Sequence, residues 1–264
     1  MEPLDVVHVD DSNVDETSFF CLQSRPDSTG YQRKRAWLRD RFAEGLRIRM
    51  LGRRDRRKWQ GERGFVEYIP GSHAWRAVEA DGYLFVHCLW VVGKSRGKGG
   101  ATTLLDVCME DAEQGGYAGV ATVAAENGYA TTRRFWERHG FEAVAESDPK
   151  MALMVRRLDD DAPPPRLSAG ALRGPAHYAE GLTILRSDQC PYLDEATEHM
   201  AADARELGVD RVEVVELRSA AEVRTESPTP YGVFAAVLDG QLLGYRYLTT
   251  KELTKAVARV RGDA

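Results

Sequence analysis

Asp159-Asp160-Asp161-Ala162-Pro163-Pro164-Pro165 divides this chain into two lengths, each of which must find its own core. Consecutive prolines have no amide hydrogen and a fixed φ, so neither a helix nor a central strand runs through them, and the acidic run stays hydrated. The total of 264 residues suits two domains of ordinary size. We place the first domain at 1–160, a linker poor in periodic apolar residues at 161–180, and the second domain at 181–264. No repeat of solenoid period is found in either.

Composition narrows the class. Apolar residues make up 43% and charged residues 29% of the chain, proportions that belong to a soluble globular protein. The net charge of −5 is mild and selects no partner. The longest apolar run covers residues 83–92 with His87 inside it, far short of the roughly 20 residues a membrane-spanning helix needs. Glu2, Asp5, Asp10 and Asp11 stand where a signal peptide would be basic and then apolar. Cys21, Cys88, Cys108 and Cys190 are scattered and form no CxxC pair. This disfavours a disulfide framework or a metal site, and a reduced cytoplasm is the expected setting.

Before the proline run, strand and helix patterns alternate. Residues 6–9 read as a strand and 31–44 as a helix carrying Trp37, Leu38 and Phe42. Residues 46–51 alternate, with Leu46, Ile48 and Met50 on one face, and 64–69 and 83–92 read as further strands. A helix over 100–113 has Leu104, Leu105, Val107, Cys108 and Ala112 as its buried stripe. A strand (120–124), a helix (131–139) and two strands (141–145, 151–158) follow. After the proline run come a strand (182–186), a helix (191–207), a strand (211–217), a hairpin of 231–238 with 242–248 turning at Asp239-Gly240, and a helix (251–260). Both halves are of the α/β (α+β) class.

The strongest chemical signal fills the turn between the strand over 83–92 and the helix from Gly100: Arg96-Gly97-Lys98-Gly99-Gly100-Ala101. Glycines let backbone amides approach an anion, and the first helical turn adds unpaired N–H groups and a positive dipole end. A pyrophosphate suits such a turn, with Arg96 and Lys98 adding charge. A P-loop would need Lys-Ser/Thr after its last glycine, where this chain has Ala101-Thr102, and a Rossmann turn needs another glycine spacing. Taken alone, the turn reads equally well as a basic surface loop.

In its strand-to-helix context, Arg96-x-x-Gly99-x-Ala101 resembles the acetyl-CoA pyrophosphate motif of the GNAT superfamily of N-acetyltransferases. Asn127, Ala130 and Phe135-Trp136-Glu137-Arg138-His139-Gly140-Phe141 resemble that family's "N…A…LYEKLGF" segment, and the likeness extends over residues 1–158. More narrowly, Gly64-Phe65-Val66-Glu67-Tyr68-Ile69-Pro70-Gly71, Ala74-Trp75-Arg76 and His87-Cys88-Leu89-Trp90-Val91 are similar to a YoaP-type branch that carries a second domain. The resemblance implies a mixed sheet flanked by helices, with acetyl-CoA as cosubstrate. It implies that the amides of Gly97, Lys98, Gly99, Gly100 and Ala101 hold the pyrophosphate. It also implies that the backbone of Leu89, Trp90 and Val91, where two central strands splay, pairs with the pantetheine arm. Asn127 would contact that arm; a capping or turn asparagine is its other reading.

Direct attack of an amine on a thioester requires a base. His87 is the first candidate, because it interrupts an apolar strand beside the expected thioester and histidine titrates near neutrality. A buried histidine bonded to a neighbour is the competing reading. Glu67, on the adjoining strand, could act through water, or could simply be a charge on an exposed face. GNAT enzymes commonly have a proton-donating tyrosine where this chain has Trp136, and an indole N–H is not a usable acid. Either Tyr129 or Tyr68 substitutes, or water protonates the thiolate, or the domain binds CoA without transfer. Arg53-Arg54-Asp55-Arg56-Arg57-Lys58 reads first as a solvated hairpin loop and second as a receiver for an acidic substrate, a carrier protein or RNA.

In the second half, Ser187-Asp188-Gln189-Cys190-Pro191-Tyr192-Leu193 lies between a strand and a helix, and Thr229-Pro230-Tyr231 precedes the hairpin. With the β-α-β…β-β-α order, residues 181–264 resemble a thioredoxin fold. Cys190 takes the place of the first redox cysteine, Leu193 replaces the second, and Pro230 matches the cis-proline position. A helix N-terminus favours a thiolate, and Pro191 suits the first helical position. Without a resolving cysteine, dithiol reductase chemistry is disfavoured. Single-thiol binding of a thiol substrate, a metalloid or an acyl group stays open beside an inert cysteine. The leading expectation is an acetyl-CoA-dependent N-acetyltransferase acting on a small amine, with His87, Glu67, Tyr129 and Cys190 as catalytic candidates. The alternatives are a non-catalytic CoA-binding sensor and a thiol-based binding or redox protein centred on Cys190. The expected partner is a small-molecule amine. A carrier protein or a homodimer is compatible, a membrane is not expected, and nucleic acid is the weak option.

Overall fold

The computed structural model describes residues 4–55, 58–126, 131–148 and 150–262, with backbone alone over 53–55 and 58–60. The chain forms two compact units. The first comprises Met1–Ser24, Arg35–Ala74 and Glu79–Arg166, the second Arg25–Lys34, Trp75–Val78 and Leu167–Ala264. The second unit therefore includes two short early segments that local periodicity does not single out.

Elements run in the order β1 (Val6–Val9), α1 (Val14–Thr17), α2 (Thr29–Ala43), β2 (Arg47–Asp55), β3 (Lys58–Pro70), β4 (Val78–Glu79), β5 (Leu84–Val91), α3 (Gly100–Gln114), β6 (Gly119–Ala125), α4 (Arg133–Arg138), β7 (Glu142–Ser147) and β8 (Met151–Arg157). Among the described residues, the first unit builds a seven-stranded sheet in the order β1-β2-β3-β5-β6-β8-β7. Its ladders are antiparallel except between β5 and β6, which run parallel. The sheet is thus mixed and flanked by helices, as expected. Small and β-branched residues along β6, all buried, fit a central strand covered on both faces. Leu104, Leu105, Cys108 and Ala112 of α3 pack with Val66, Tyr68, Leu84, Val86 and Leu89 of the sheet and with Trp136 and Phe141. Val107 lies at the margin of the helical stripe, half-buried, and Met109 is buried in its stead.

The basic run is more ordered than a loop. β2 continues to Asp55 and β3 begins at Lys58, with Arg54 opposite Trp59. Arg56 and Arg57 lie outside the described residues.

The later elements are β9 (Arg166–Leu167), α5 (Ala169–Arg173), β10 (Leu182–Arg186), α6 (Leu193–Glu206), β11 (Val212–Glu216), α7 (Ala220–Glu226), β12 (Phe234–Leu238), β13 (Gln241–Gly244) and α8 (Thr250–Arg261). Their sheet has the order β11-β10-β12-β13, with β11 parallel to β10 and the other neighbours antiparallel. Positive φ at Asp239 (49°) and Gly240 (78°) makes the tight hairpin turn that the sequence proposes. The strand after it ends at Gly244, earlier than expected, beyond a register shift at Ala236/Val237.

The stretch read as a linker carries β9 and α5. A Cβ on Gly170 would meet the carbonyl oxygens of Arg224, Ser227 and Thr225 at 2.8, 2.8 and 2.9 Å, and Ser168 Oγ donates to Arg224 O at 2.7 Å. These contacts seat α5 on α7. Only five residues long, α5 is too short to show helical periodicity in sequence.

α8 opens on a capping box. Glu252 N donates to Thr249 Oγ1, and Thr249 N to Glu252 Oε2 at 2.9 Å. The bond from Arg246, first, and those from Thr249 hold the Glu252 carboxyl at about 2. Because that value is depressed, its stabilising contribution is present above the ordinary carboxylate range and fades as pH falls toward 2. Thr249→Ala is expected to cost about 1 kcal/mol, read as a lower urea midpoint at unchanged m-value.

Candidate active site

The central feature of the first unit is an interrupted ladder. β5 pairs with β6 only at Leu84, Phe85 and Val86, although β5 continues to Val91 and β6 to Ala125. Val92 N donates to Arg63 O on the β3 side at 3.0 Å. Backbone groups alternate in direction along a strand, so those of Leu89 and Val91 point to the edge that β6 leaves. Two side chains cap that edge: Thr131 Oγ1 donates to Leu89 O at 2.8 Å, and Arg96 Nε to Val91 O at 3.0 Å. The expected splay at Leu89, Trp90 and Val91 is therefore present as strand geometry. Thr131 went unnoticed in the sequence, where a lone threonine before a helix carries no signal.

Directly beyond this edge lies the glycine turn. Ser95 is buried and its Oγ accepts from Arg63 N at 2.8 Å, which ties the turn to β3. Gly97 and Gly99 take positive φ (76° and 82°), and a Cβ on either would meet nothing within 4 Å. The backbone N–H groups of residues 97–102 donate to no described residue, and the first main-chain bond of α3 runs from Thr103 N to Gly99 O. Unpaired donors at a helix start beside open space suit an anion. The side-chain charges are more committed than expected. Lys98 Nζ pairs with Glu62 at 2.7 Å, and the Arg96 guanidinium lies over the Trp90 ring at 5.3 Å. Thr102 Oγ1 also meets His139 Nε2 at 3.0 Å.

The two base candidates come together. A bulge shifts the register so that Cys88 faces Glu67 and Val86 faces Tyr68, leaving His87 as the extra residue. Bulges re-aim side chains in this way. His87 Nδ1 lies 3.3 Å from Glu67 Oε1, with the two side chains 0% and 3% exposed. Trp37 and Phe85 flank the imidazole at 6.1 and 6.2 Å between ring centroids. Glu67 is thus no exposed charge. The expectation of a solvent-facing carboxylate fails because the neighbours of Glu67 bury it.

The proton-donor candidates fare differently. Tyr68 donates its hydroxyl to Asp111, which also accepts from Arg49 at 2.6 Å and pairs with Arg47 at 3.0 Å. Burial, reinforced by the Asp111 carboxylate, pushes the Tyr68 hydroxyl far above its ordinary range. Tyr68 is therefore unsuited to protonate a thiolate. Trp136 is buried, stacked edge-on to Phe141 at 4.9 Å, and its indole N–H has no acceptor among the described residues. Tyr129 and Asn127 lie outside the described residues.

Burial alone would raise the Asp111 carboxyl, but the bonds from Tyr68, Arg49 and Arg47 overcome it and hold the group below its usual range. With the folded value depressed, the network stabilises the protein above the ordinary carboxylate range and weakens as pH falls through the folded value. Asp111→Ala strands Arg49, 13% exposed. The expected cost is about 2–4 kcal/mol, toward the lower end for a broken buried pair because Arg47 reaches solvent. The loss should shrink in acid, which chemical denaturation at two pH values would show.

Cys190 lies in the second unit, half-buried. α6 begins at Leu193 with Tyr192 as N-cap, and Leu193 N donates to Cys190 O at 3.2 Å. Pro191 is therefore not the first helical residue, and the thiol sits ahead of the helix rather than at its first turn. The dipole acts mainly over that turn, so the argument for thiolate stabilisation weakens. Neighbouring Gln189 is buried and accepts from Arg76, whose guanidinium lies 5.3 Å from the Tyr231 ring.

The strand edge that β6 leaves thus lies beside helix-start amides that donate to no described residue. Residues 17–141 match the model of the acetyltransferase (GNAT) family, and that match supports an acyltransferase enzyme. Over 256 residues the chain is 27% identical to the uncharacterized N-acetyltransferase YoaP of Bacillus subtilis, covering 94% of this chain and 96% of that protein. A GNAT-family acetyltransferase from Staphylococcus aureus aligns at 13% identity and a TM-score of 0.43, over 60% of this chain and 100% of that one. The Escherichia coli GNAT N-acetyltransferase YhbS, solved in complex with CoA, aligns at 20% identity and a TM-score of 0.37, over 60% of this chain and 84% of that one. No helix among the described residues is long and apolar enough to cross a membrane.

Proposed function

We propose that the chain transfers the acetyl group of acetyl-CoA to a small amine by direct attack of the amine on the thioester. The observation that carries this reading is the run of unpaired amides at 97–102 beside the edge of β5 at Leu89 and Val91, which no strand pairs and whose carbonyls accept from the Thr131 and Arg96 side chains. Gly97, Lys98, Gly99, Gly100 and Ala101 would hold the pyrophosphate, and the Leu89–Val91 edge the pantetheine arm, with Trp90 on the opposite face. Bound acetyl-CoA supplies the activated acyl group. The Glu67–His87 pair receives the amine proton, directly or through a water, and Asn127 and Tyr129 remain candidates for contact with the thioester end. The leaving thiolate takes its proton from Tyr129 or from solvent, since Tyr68 is committed to Asp111 and Trp136 is no acid.

The test is amine-dependent release of CoA thiol by the full chain, with thermal stabilisation by acetyl-CoA measured beside it. Stabilisation together with release supports transfer. A chain that acetyl-CoA does not stabilise sinks the reading. Stabilisation without release for any amine favours the second reading, a CoA-binding sensor, which the buried Trp136 at the usual tyrosine position supports.

The second unit belongs to the proposal as a thioredoxin-like domain over about 181–264. Support comes from its strand order and from a parallel β10–β11 pair joined through α6. With Leu193 in place of a second cysteine, it serves access or specificity rather than dithiol exchange, and Cys190 is at most a single-thiol contact.

A further inference from the structure

The acceptor can be narrowed by the sheet face opposite α3. Along β3 and β5, Phe65 stands opposite Trp90 and Glu67 opposite Cys88, and paired residues share a face about 5 Å apart. Phe20 stacks on Phe65, with centroids 4.9 Å apart and planes at 22°. Phe20, Cys88 and Trp90 are half-buried, whereas Phe65 and Glu67 are buried. The face therefore has an aromatic rim and, at its base, the Glu67–His87 pair.

Its charge is equally informative. Phe65, Glu67, Cys88 and Trp90 include one carboxylate, already set against His87. A polyamine or aminoglycoside needs several carboxylates, because each ammonium brought out of water requires its own partner. The cation at the rim has the wrong sign for such guests, since Arg96 lies over Trp90. Aromatic walls favour an apolar or ring-bearing body instead.

We propose that the acceptor is a monoamine on an aromatic or bulky apolar body, held by Phe20, Phe65 and Trp90 with its nitrogen toward Glu67 and His87. This rests on the acetyl-transfer reading. The amine lone pair forms the C–N bond as the C–S bond breaks, its proton passes to the Glu67–His87 pair, and the CoA thiolate leaves and takes up a proton.

Two measurements on the full chain separate the claims: equilibrium binding of phenethylamine and of spermidine without acetyl-CoA, and CoA release with each amine in its presence. We expect phenethylamine to exceed spermidine at least tenfold in kcat/KM. Phe20→Ala should raise KM for phenethylamine about tenfold, with kcat and the acetyl-CoA stabilisation kept. Phe20→Leu, which keeps apolar volume but removes the ring, should show part of the same rise and guards against a folding defect in the alanine variant. Preference for spermidine, or an unchanged phenethylamine KM in both variants, would overturn the proposal. So would acetyl-CoA stabilisation with neither amine bound. Should acetyl-CoA fail to stabilise while phenethylamine binding persists and depends on Phe20, the transfer reading fails and the aromatic face stands.

Discussion

Gly99→Glu is expected to remove the stabilisation of the chain by acetyl-CoA while leaving the fold intact. At this position φ is 82°, and a Cβ would meet nothing within 4 Å. The substitution thus costs about 1–3 kcal/mol of backbone strain, without a clash. Its carboxylate, however, enters the space that the amides of 97–102 face. There it competes as an internal anion and repels an incoming pyrophosphate; like charges about 4 Å apart near a protein surface oppose each other by up to about 4 kcal/mol. A loss of affinity of roughly 100-fold follows from about 2.7 kcal/mol of that. At acetyl-CoA 100 times the original Kd, the stabilisation of about 2.7 kcal/mol would fall to about 0.4 kcal/mol. Melting with and without acetyl-CoA reads this directly. Lys98→Ala is the internal contrast, with a smaller expected effect because Lys98 is paired with Glu62. Full stabilisation in the Gly99→Glu variant would mean that the anion site lies elsewhere.

Glu67→Gln is expected to lower amine-dependent CoA release by about 10²–10⁴-fold, the usual worth of a positioned base, with acetyl-CoA stabilisation unchanged. The amide preserves the shape of the carboxylate beside His87 but accepts no proton. His87→Ala should lose turnover to a similar degree and also stability, because it leaves the Glu67 carboxylate buried without its imidazole; such broken pairs cost about 3–5 kcal/mol. The two variants therefore separate chemistry from folding. If Glu67→Gln turns over normally, the 3.3 Å pair is architecture and the base is elsewhere.

Much of the scaffold was legible in residue order because its causes are local. The apolar run before Arg96, the glycines after it and the stripe on α3 specify strand, turn and helix through periodicity and backbone freedom. Asp239-Gly240 specifies its turn in the same way. The strand and helix order of the second half could be read from spacing alone, but the start of α6 could not. Pro191 suits either the turn or the first helical position, and only the bond from Leu193 N to Cys190 O decides between them.

What the sequence by itself determined about this protein is the glycine turn at Gly97 and Gly99 and its place between an apolar strand and an amphipathic helix. Tertiary structure alone decided which side chains share a face. A one-residue bulge in β5 turns His87 toward Glu67, packing of α3 on the sheet commits Tyr68 to Asp111, and cross-strand pairing sets Trp90 beside Phe65. Contacts with α7 turn 166–173 from linker into structure. The physical reason is register: side chains alternate across a strand with a period of two, so a shift of one residue exchanges the faces. No local property of the sequence records such a shift.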